Sequence, residues 1–251
     1  MSPSGRFYRS MTSSEIKVVA DHAALVEEAA DQIATAARIA LADHQWFSIA
    51  LSGGSTPEPV YSRLTEEPYN TAIDWSRVRI YFGDERCVPP DSPQSNYRMA
   101  NEAMLSKLPI SAENIFRMRG EIDPNQAAME YGRLLKEHFG DTGGVDLNLL
   151  GMGDDGHTAS LFPNSEALKE TRHRCVAHLV TKLNAWRITM TAPFINRSDA
   201  VIFLVSGADK AARVREVREG PHDPQRLPSQ LIHPVNGRLL WLLDSAAAGI
   251  G

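Results

Sequence analysis

Short apolar runs recur along the chain, separated by longer stretches in which apolar residues return at helical spacing. Glu15 to Ala20, Trp46 to Leu51, Val78 to Phe82, Val145 to Leu150, Ala200 to Val205 and Leu239 to Leu243 each read as a strand. From Asp21, the series Leu25, Ala29, Ile33, Ala36 and Ala40 predicts one long helix. Pro57 suits a first helical position with Thr56 as the cap before it, so a helix is expected to start there. Further helices are expected from Ser95-Asn96-Tyr97 towards Leu105, over Ala127 to His138 with Gly140 closing it, and over Ala211 to Arg218. Cys175 to Thr181 and Arg187 to Thr191 read as two more strands. Strands alternating with helices predict an α/β fold: a mostly parallel, Rossmann-like sheet with helices on both faces. No shift in composition marks a boundary, so residues 15–251 are expected to form one domain behind a flexible polar tail, 1–14.

On such a sheet, ligands bind where the strands end. Four strand ends carry suggestive residues, and on a parallel sheet they would share one rim. The first is Ser52-Gly53-Gly54-Ser55-Thr56. Its glycines allow a tight backbone with exposed N–H groups at a helix start, and its hydroxyls can donate, which together describe a phosphate cradle. An ordinary strand-to-helix turn would use the same residues. The second, Gly83-Asp84-Glu85-Arg86, offers Arg86 as a bidentate anion grip. The third runs from Gly151 to His157 and places His157 at the expected mouth of the site, at what reads as the start of a short helix, with Asp155 two residues before it. An imidazole with an ordinary pKa near ~6.5 is neutral and basic at pH 7, and a carboxylate beside it would fix its tautomer. The fourth, Ser206 to Lys210, sets a lysine at a helix start, against the helix dipole.

Composition and motif spacing remove other chemistries. The 251 residues carry a net charge of −5, which disfavours a general grip on nucleic acid. No apolar run approaches the ~20 residues that span a bilayer, and the polar N-terminal stretch lacks a secretory signal, so a cytoplasmic location is expected. Cys87 and Cys175 form no C-x-x-C pair, and the histidines show no H-x-x-x-H spacing, so no metal site is expected. Gly151, Gly153 and Gly156 match G-x-G-x-x-G literally, yet Asp154 and Asp155 would face a pyrophosphate there. There is no P-loop and no G-x-S-x-G elbow.

Taken together, Ser52 to Pro57, Gly83 to Arg86 with Ser95-Asn96-Tyr97, Gly151 to Pro163, and Arg187-Ile188-Thr189 resemble the motifs of the 6-phosphogluconolactonase and glucosamine-6-phosphate deaminase family, in order and over nearly the whole chain. The deaminases carry a glutamate five residues after the histidine. Phe162 stands there in this chain, which favours the lactonase branch. The resemblance implies hydrolysis of 6-phospho-D-glucono-1,5-lactone, the second step of the oxidative pentose phosphate pathway, with no cofactor and no required metal. It implies His157 as the catalytic residue, and a general-base mechanism would use Asp155 or Asp84 to orient the imidazole. It implies a phosphate site made of Ser52, Gly53, Gly54, Ser55 and Thr56 with Arg86, Arg187 and Lys210. The expected partner is a small sugar-phosphate lactone, without nucleic acid or membrane, bound by a monomer or small homo-oligomer. The rival readings are an aminosugar-phosphate deaminase or isomerase, and a sugar-phosphate-binding module without turnover.

Overall fold

A computed structural model describes residues 14–250. The tail expected over 1–14 lies outside the described residues, apart from Ser14, which opens the first strand. In chain order the strands and helices are β1 (Ser14–Val19), α1 (His22–Asp43), β2 (Phe47–Leu51), α2 (Pro57–Arg63), α3 (Tyr69–Ala72), β3 (Val78–Phe82), β4 (Asp84–Arg86), α4 (Asn96–Ala100), α5 (Pro124–Phe139), β5 (Leu147–Leu150), β6 (Cys175–Val180), β7 (Ala185–Met190), α6 (Ala192–Ile195), β8 (Ala200–Val205), α7 (Ala211–Glu219) and β9 (Arg238–Asp244).

Six strands form a parallel sheet in the order β1-β9-β8-β5-β2-β3. Its central strands are buried on both faces, which is why they read as unbroken apolar runs. Alternate side chains feed two cores. Ile202, Leu204, Leu240 and Leu242 pack with Leu25 and Ile33 of α1 and Tyr61 of α2. Val201, Phe203, Trp241 and Leu243 pack on the other face with Tyr131 and Leu135 of α5 and Val214 of α7. The period of two in these strands therefore sends each helix to its own side.

Two expectations change at this level. The segments read as strands over Cys175 to Thr181 and Arg187 to Thr191 do not join the parallel sheet. They form a second, antiparallel sheet, β4-β7-β6. The reason is the link between β6 and β7, a tight turn ending at Asn184 in the left-handed region (φ 45°). Such a turn joins antiparallel neighbours, whereas a parallel pair needs a long crossover. The short helix expected at His157 is also absent. Gly156 has φ 80° and Ala159 φ 48°, and Thr158 bridges Leu161 across a turn. Left-handed residues at this spacing leave no room for a helical turn.

After β2 the chain steps to β3 on one side; after β5 it steps to β8 on the other. The crevice between β2 and β5 is the point where the winding reverses, the usual place for a ligand in an open α/β sheet. All four candidate stretches follow the ends of the adjacent strands β8, β5, β2 and β3, whose axes lie about 4.8 Å apart.

Candidate active site

The loop after β5 is shaped around His157. Its Nδ1 lies 2.6 Å from Asp155 Oδ1. The same carboxylate oxygen accepts the His157 backbone N–H at 3.2 Å, while Asp155 Oδ2 is held by Lys182 Nζ from the β6–β7 turn. Burial alone would raise the Asp155 pKa. The bonds from His157 and Lys182 outweigh it and hold the carboxyl well below the usual carboxylate range. An ionised carboxylate only accepts, so Nδ1 carries a proton, and in the neutral ring the lone pair is on Nε2. Nε2 has no hydrogen-bond partner among the described residues. The ring stacks on Phe162 with centroids 4.2 Å apart and planes 24° apart. A methyl group on Gly153 would lie 2.0 Å from Nδ1 and Cε1 of this ring, so glycine is what lets the imidazole lie against the loop.

Asp84 does not reach the imidazole. Its Oδ2 accepts from Ser160 Oγ at 2.6 Å, and its Oδ1 from Asn96 Nδ2 at 3.2 Å. Of the two aspartates named from the sequence, the structure brings Asp155 to His157 and gives Asp84 a different partner. Asp84 starts the β4–β7 pairing and is buried, so its side chain bridges the His157 loop to the second sheet. His178 of β6 adds to this bridge through Nε2, 2.7 Å from the Ser160 carbonyl, where it must donate. Asn96 in turn lies over the turn after β2: a methyl group on Gly53 would be 1.9 Å from Asn96 Oδ1. Buried polar contacts thus connect Asn96, which packs on the glycine turn, to Asp84, Ser160 and the His157 loop.

The glycine turn is pinned by Tyr61. The Ser52 N–H donates to Tyr61 Oη at 2.9 Å, and that hydroxyl donates back to the Ser52 carbonyl at 2.8 Å. Gly54 has φ 109°. Thr56 precedes α2 as expected, but it is helical itself and makes no capping bond. The Gly53 and Gly54 N–H groups and the buried Ser52 Oγ lack partners among the described residues.

Arg86 and Arg187 stand directly opposite one another on β4 and β7. Like charges in that position repel. Burial, then the charge of Arg86, lowers the pKa of Arg187. Neither guanidinium pairs with a carboxylate among the described residues. Arg187 also borders a cleft of about 530 Å³ with Cys87, Glu121 and Trp186, and His157, Gly53 and Lys210 do not line it. Burial pushes the Cys87 thiol up to about 11, which keeps it protonated and a poor nucleophile at neutral pH. Lys210 caps the start of α7 and is held by Asp154, with Asp209 at 3.6 Å.

Glu85 faces away from this group and serves the frame. Its carboxylate accepts from the N–H groups of Arg86, Asn96 and Tyr97 at 2.7–2.9 Å and from Ser95 Oγ at 3.0 Å, at the start of α4. An amide in its place would point an NH₂ at one or more of these donors. Glu85→Gln is therefore expected to cost about 1–3 kcal/mol, read as a melting temperature several degrees lower. An unchanged melting temperature would show that these bonds contribute nothing net.

A family model described as glucosamine-6-phosphate isomerases/6-phosphogluconolactonase matches residues 20–241. The chain belongs to this family. It is 41% identical over 237 residues to a 6-phosphogluconolactonase of Nostoc sp., covering 92% of this chain and 96% of that protein. It is 40% identical over 238 residues to one of Synechocystis sp., with 93% and 96% covered. Among solved structures, 6-phosphogluconolactonase from Trypanosoma brucei matches with a TM-score of 0.83 at 30% identity, covering 94% of this chain and 98% of that one.

One residue that the structure adds to the site was invisible as a site residue in the sequence. Lys182 sits in a turn 27 residues from Asp155, and no spacing links them. Ser160 and Phe162 were in view, inside the loop itself, but their contacts with Asp84 and with the His157 ring depend on the left-handed turn at Ala159. Among the described residues, no group of three or more His, Cys, Asp or Glu side chains is arranged to hold a metal, and no helix is long and apolar enough to cross a membrane.

Proposed function

We propose that the crevice between β2 and β5 hydrolyses 6-phospho-D-glucono-1,5-lactone to 6-phosphogluconate, with His157 Nε2 as general base. The lactone hydrolase class rests on membership of the family and on relatives at 40–41% identity that bear the lactonase name. The observation that carries the mechanism is the 2.6 Å contact between Asp155 and Nδ1, which leaves Nε2 basic.

In this reading the 6-phosphate docks on Arg86, Arg187 and Lys210 and on the free N–H groups of Gly53 and Gly54. Two facing guanidiniums gain from an anion that bridges them. Binding energy from this remote group orients the lactone over the histidine. A water between Nε2 and the lactone carbonyl gives up a proton to Nε2 as its oxygen attacks the carbonyl carbon. The tetrahedral oxyanion that forms is stabilised by nearby N–H groups or a cation. As the carbonyl reforms, the bond to the ring oxygen breaks, and the imidazolium returns its proton to that oxygen. The ionised Asp155, braced by Lys182, stabilises the imidazolium while it lasts. Phe162 lies flat on the ring where the deaminases' glutamate would stand, so a second proton carrier is missing for sugar-ring opening.

The test is a lactone-disappearance assay on fresh substrate near pH 6.5, with glucosamine 6-phosphate as the control for ammonia release. Lys210→Ala is expected to raise KM for the phosphorylated lactone about tenfold or more, and to change the turnover of unphosphorylated gluconolactone far less. Equal losses on the two substrates would remove Lys210 from the phosphate site.

A further inference from the structure

We propose that Asp154 is a displaceable stand-in for the substrate phosphate on Lys210, and that its carboxylate sets how tightly the phosphorylated end is held. This rests on the phosphate role given to Lys210 above. The two neighbouring aspartates of the loop are built for different tasks. Asp155 is mostly buried and tied on both oxygens, to His157 and to Lys182. Asp154 has a side chain that is 80% exposed, and one of its oxygens holds Lys210, whose own side chain is 21% exposed. A cation largely withdrawn from water thus carries a carboxylate that water can reclaim at little cost.

The loop does not need that ion pair to keep its shape. The Asp154 carbonyl accepts from Arg213 Nε at 2.8 Å. The Gly156 carbonyl accepts from the N–H and the hydroxyl of Ser229 at 3.0 and 2.8 Å. The Gly153 N–H donates to the His157 carbonyl at 2.9 Å. These bonds fix the backbone on both sides of Asp154, so its side chain swings away while Asp155 and His157 stay in place. A phosphate arriving at Lys210 meets the Asp154 carboxylate first and either displaces it or tolerates a like charge beside it. Both options weaken phosphate binding and ease the departure of the phosphorylated product.

Asp154→Asn keeps the size of the side chain and removes the charge. The expected result is a fall of about two- to fivefold in KM for the phosphorylated lactone and in the inhibition constant of inorganic phosphate, the range of an exposed ion pair. Asp154→Ser should move both constants the same way. The decisive measurement is the double variant with Lys210→Ala. Direct competition at one ammonium makes the gain vanish once Lys210 is gone. A gain of equal size in the Lys210→Ala background would assign the effect to the diffuse negative field of the loop and overturn the proposal. So would an inhibition constant that is unchanged or higher in Asp154→Asn. If Lys210→Ala by itself leaves the phosphate constants untouched, the phosphate role of Lys210 fails and the proposal falls with it. If Lys210→Ala weakens phosphate and Asp154→Asn does nothing, only the proposal fails.

Discussion

Replacing His157 by alanine is expected to lower kcat for lactone hydrolysis by about 10²–10⁴-fold and to leave KM nearly unchanged. The magnitude is what a positioned general base contributes, and it is the largest single loss anticipated. KM is spared because the groups assigned to the phosphate lie on other elements: β4, β7, the turn after β2 and the start of α7. Asp155 stays ionised because its bonds to His157 and Lys182 override the effect of burial and keep its pKa low. Between pH 5 and 8 it therefore contributes no titration. An alanine variant with undiminished kcat would take His157 out of the mechanism.

Gly153→Ala is expected to reduce kcat by roughly 10²-fold although it deletes no functional group. The added methyl would sit 2.0 Å from two atoms of the imidazole, far inside contact distance. The ring cannot retreat freely, since Phe162 is stacked on it and Asp155 holds Nδ1. Relief requires breaking one of those contacts or shifting the loop, and either moves Nε2 by an ångström or so. At Gly151, in the same loop, an added methyl would meet nothing within 4 Å, so Gly151→Ala is the control for mere loss of a glycine. Steady-state kinetics on the two variants separates the cases. Matching rates for both would mean that the ring position tolerates more than the packing implies.

Sequence and structure part company where one residue's role depends on a distant one. Five of the six parallel strands were legible as buried apolar runs, which advertise themselves, while the exposed β1 mixes apolar with polar residues. The antiparallel sheet was not. β4 is three polar or charged residues with no apolar pattern, and its partner β7 is called up by register with residues about a hundred positions away. The helix expected at His157 failed for a local reason, since Ala159 adopts a left-handed conformation that no propensity rule assigns to alanine.

By itself, the order of residues determined the parallel α/β sheet, the four polar strand ends and the choice of His157 as the candidate base, because periodicity, glycine turns and imidazole chemistry are properties of short stretches. Only the tertiary structure decided which carboxylate meets the ring, that Lys182 braces it, that Arg86 faces Arg187, and that Asp154 occupies Lys210. Those pairings join side chains from separate strands and turns, and their partners are selected by where the sheet ends place them in space.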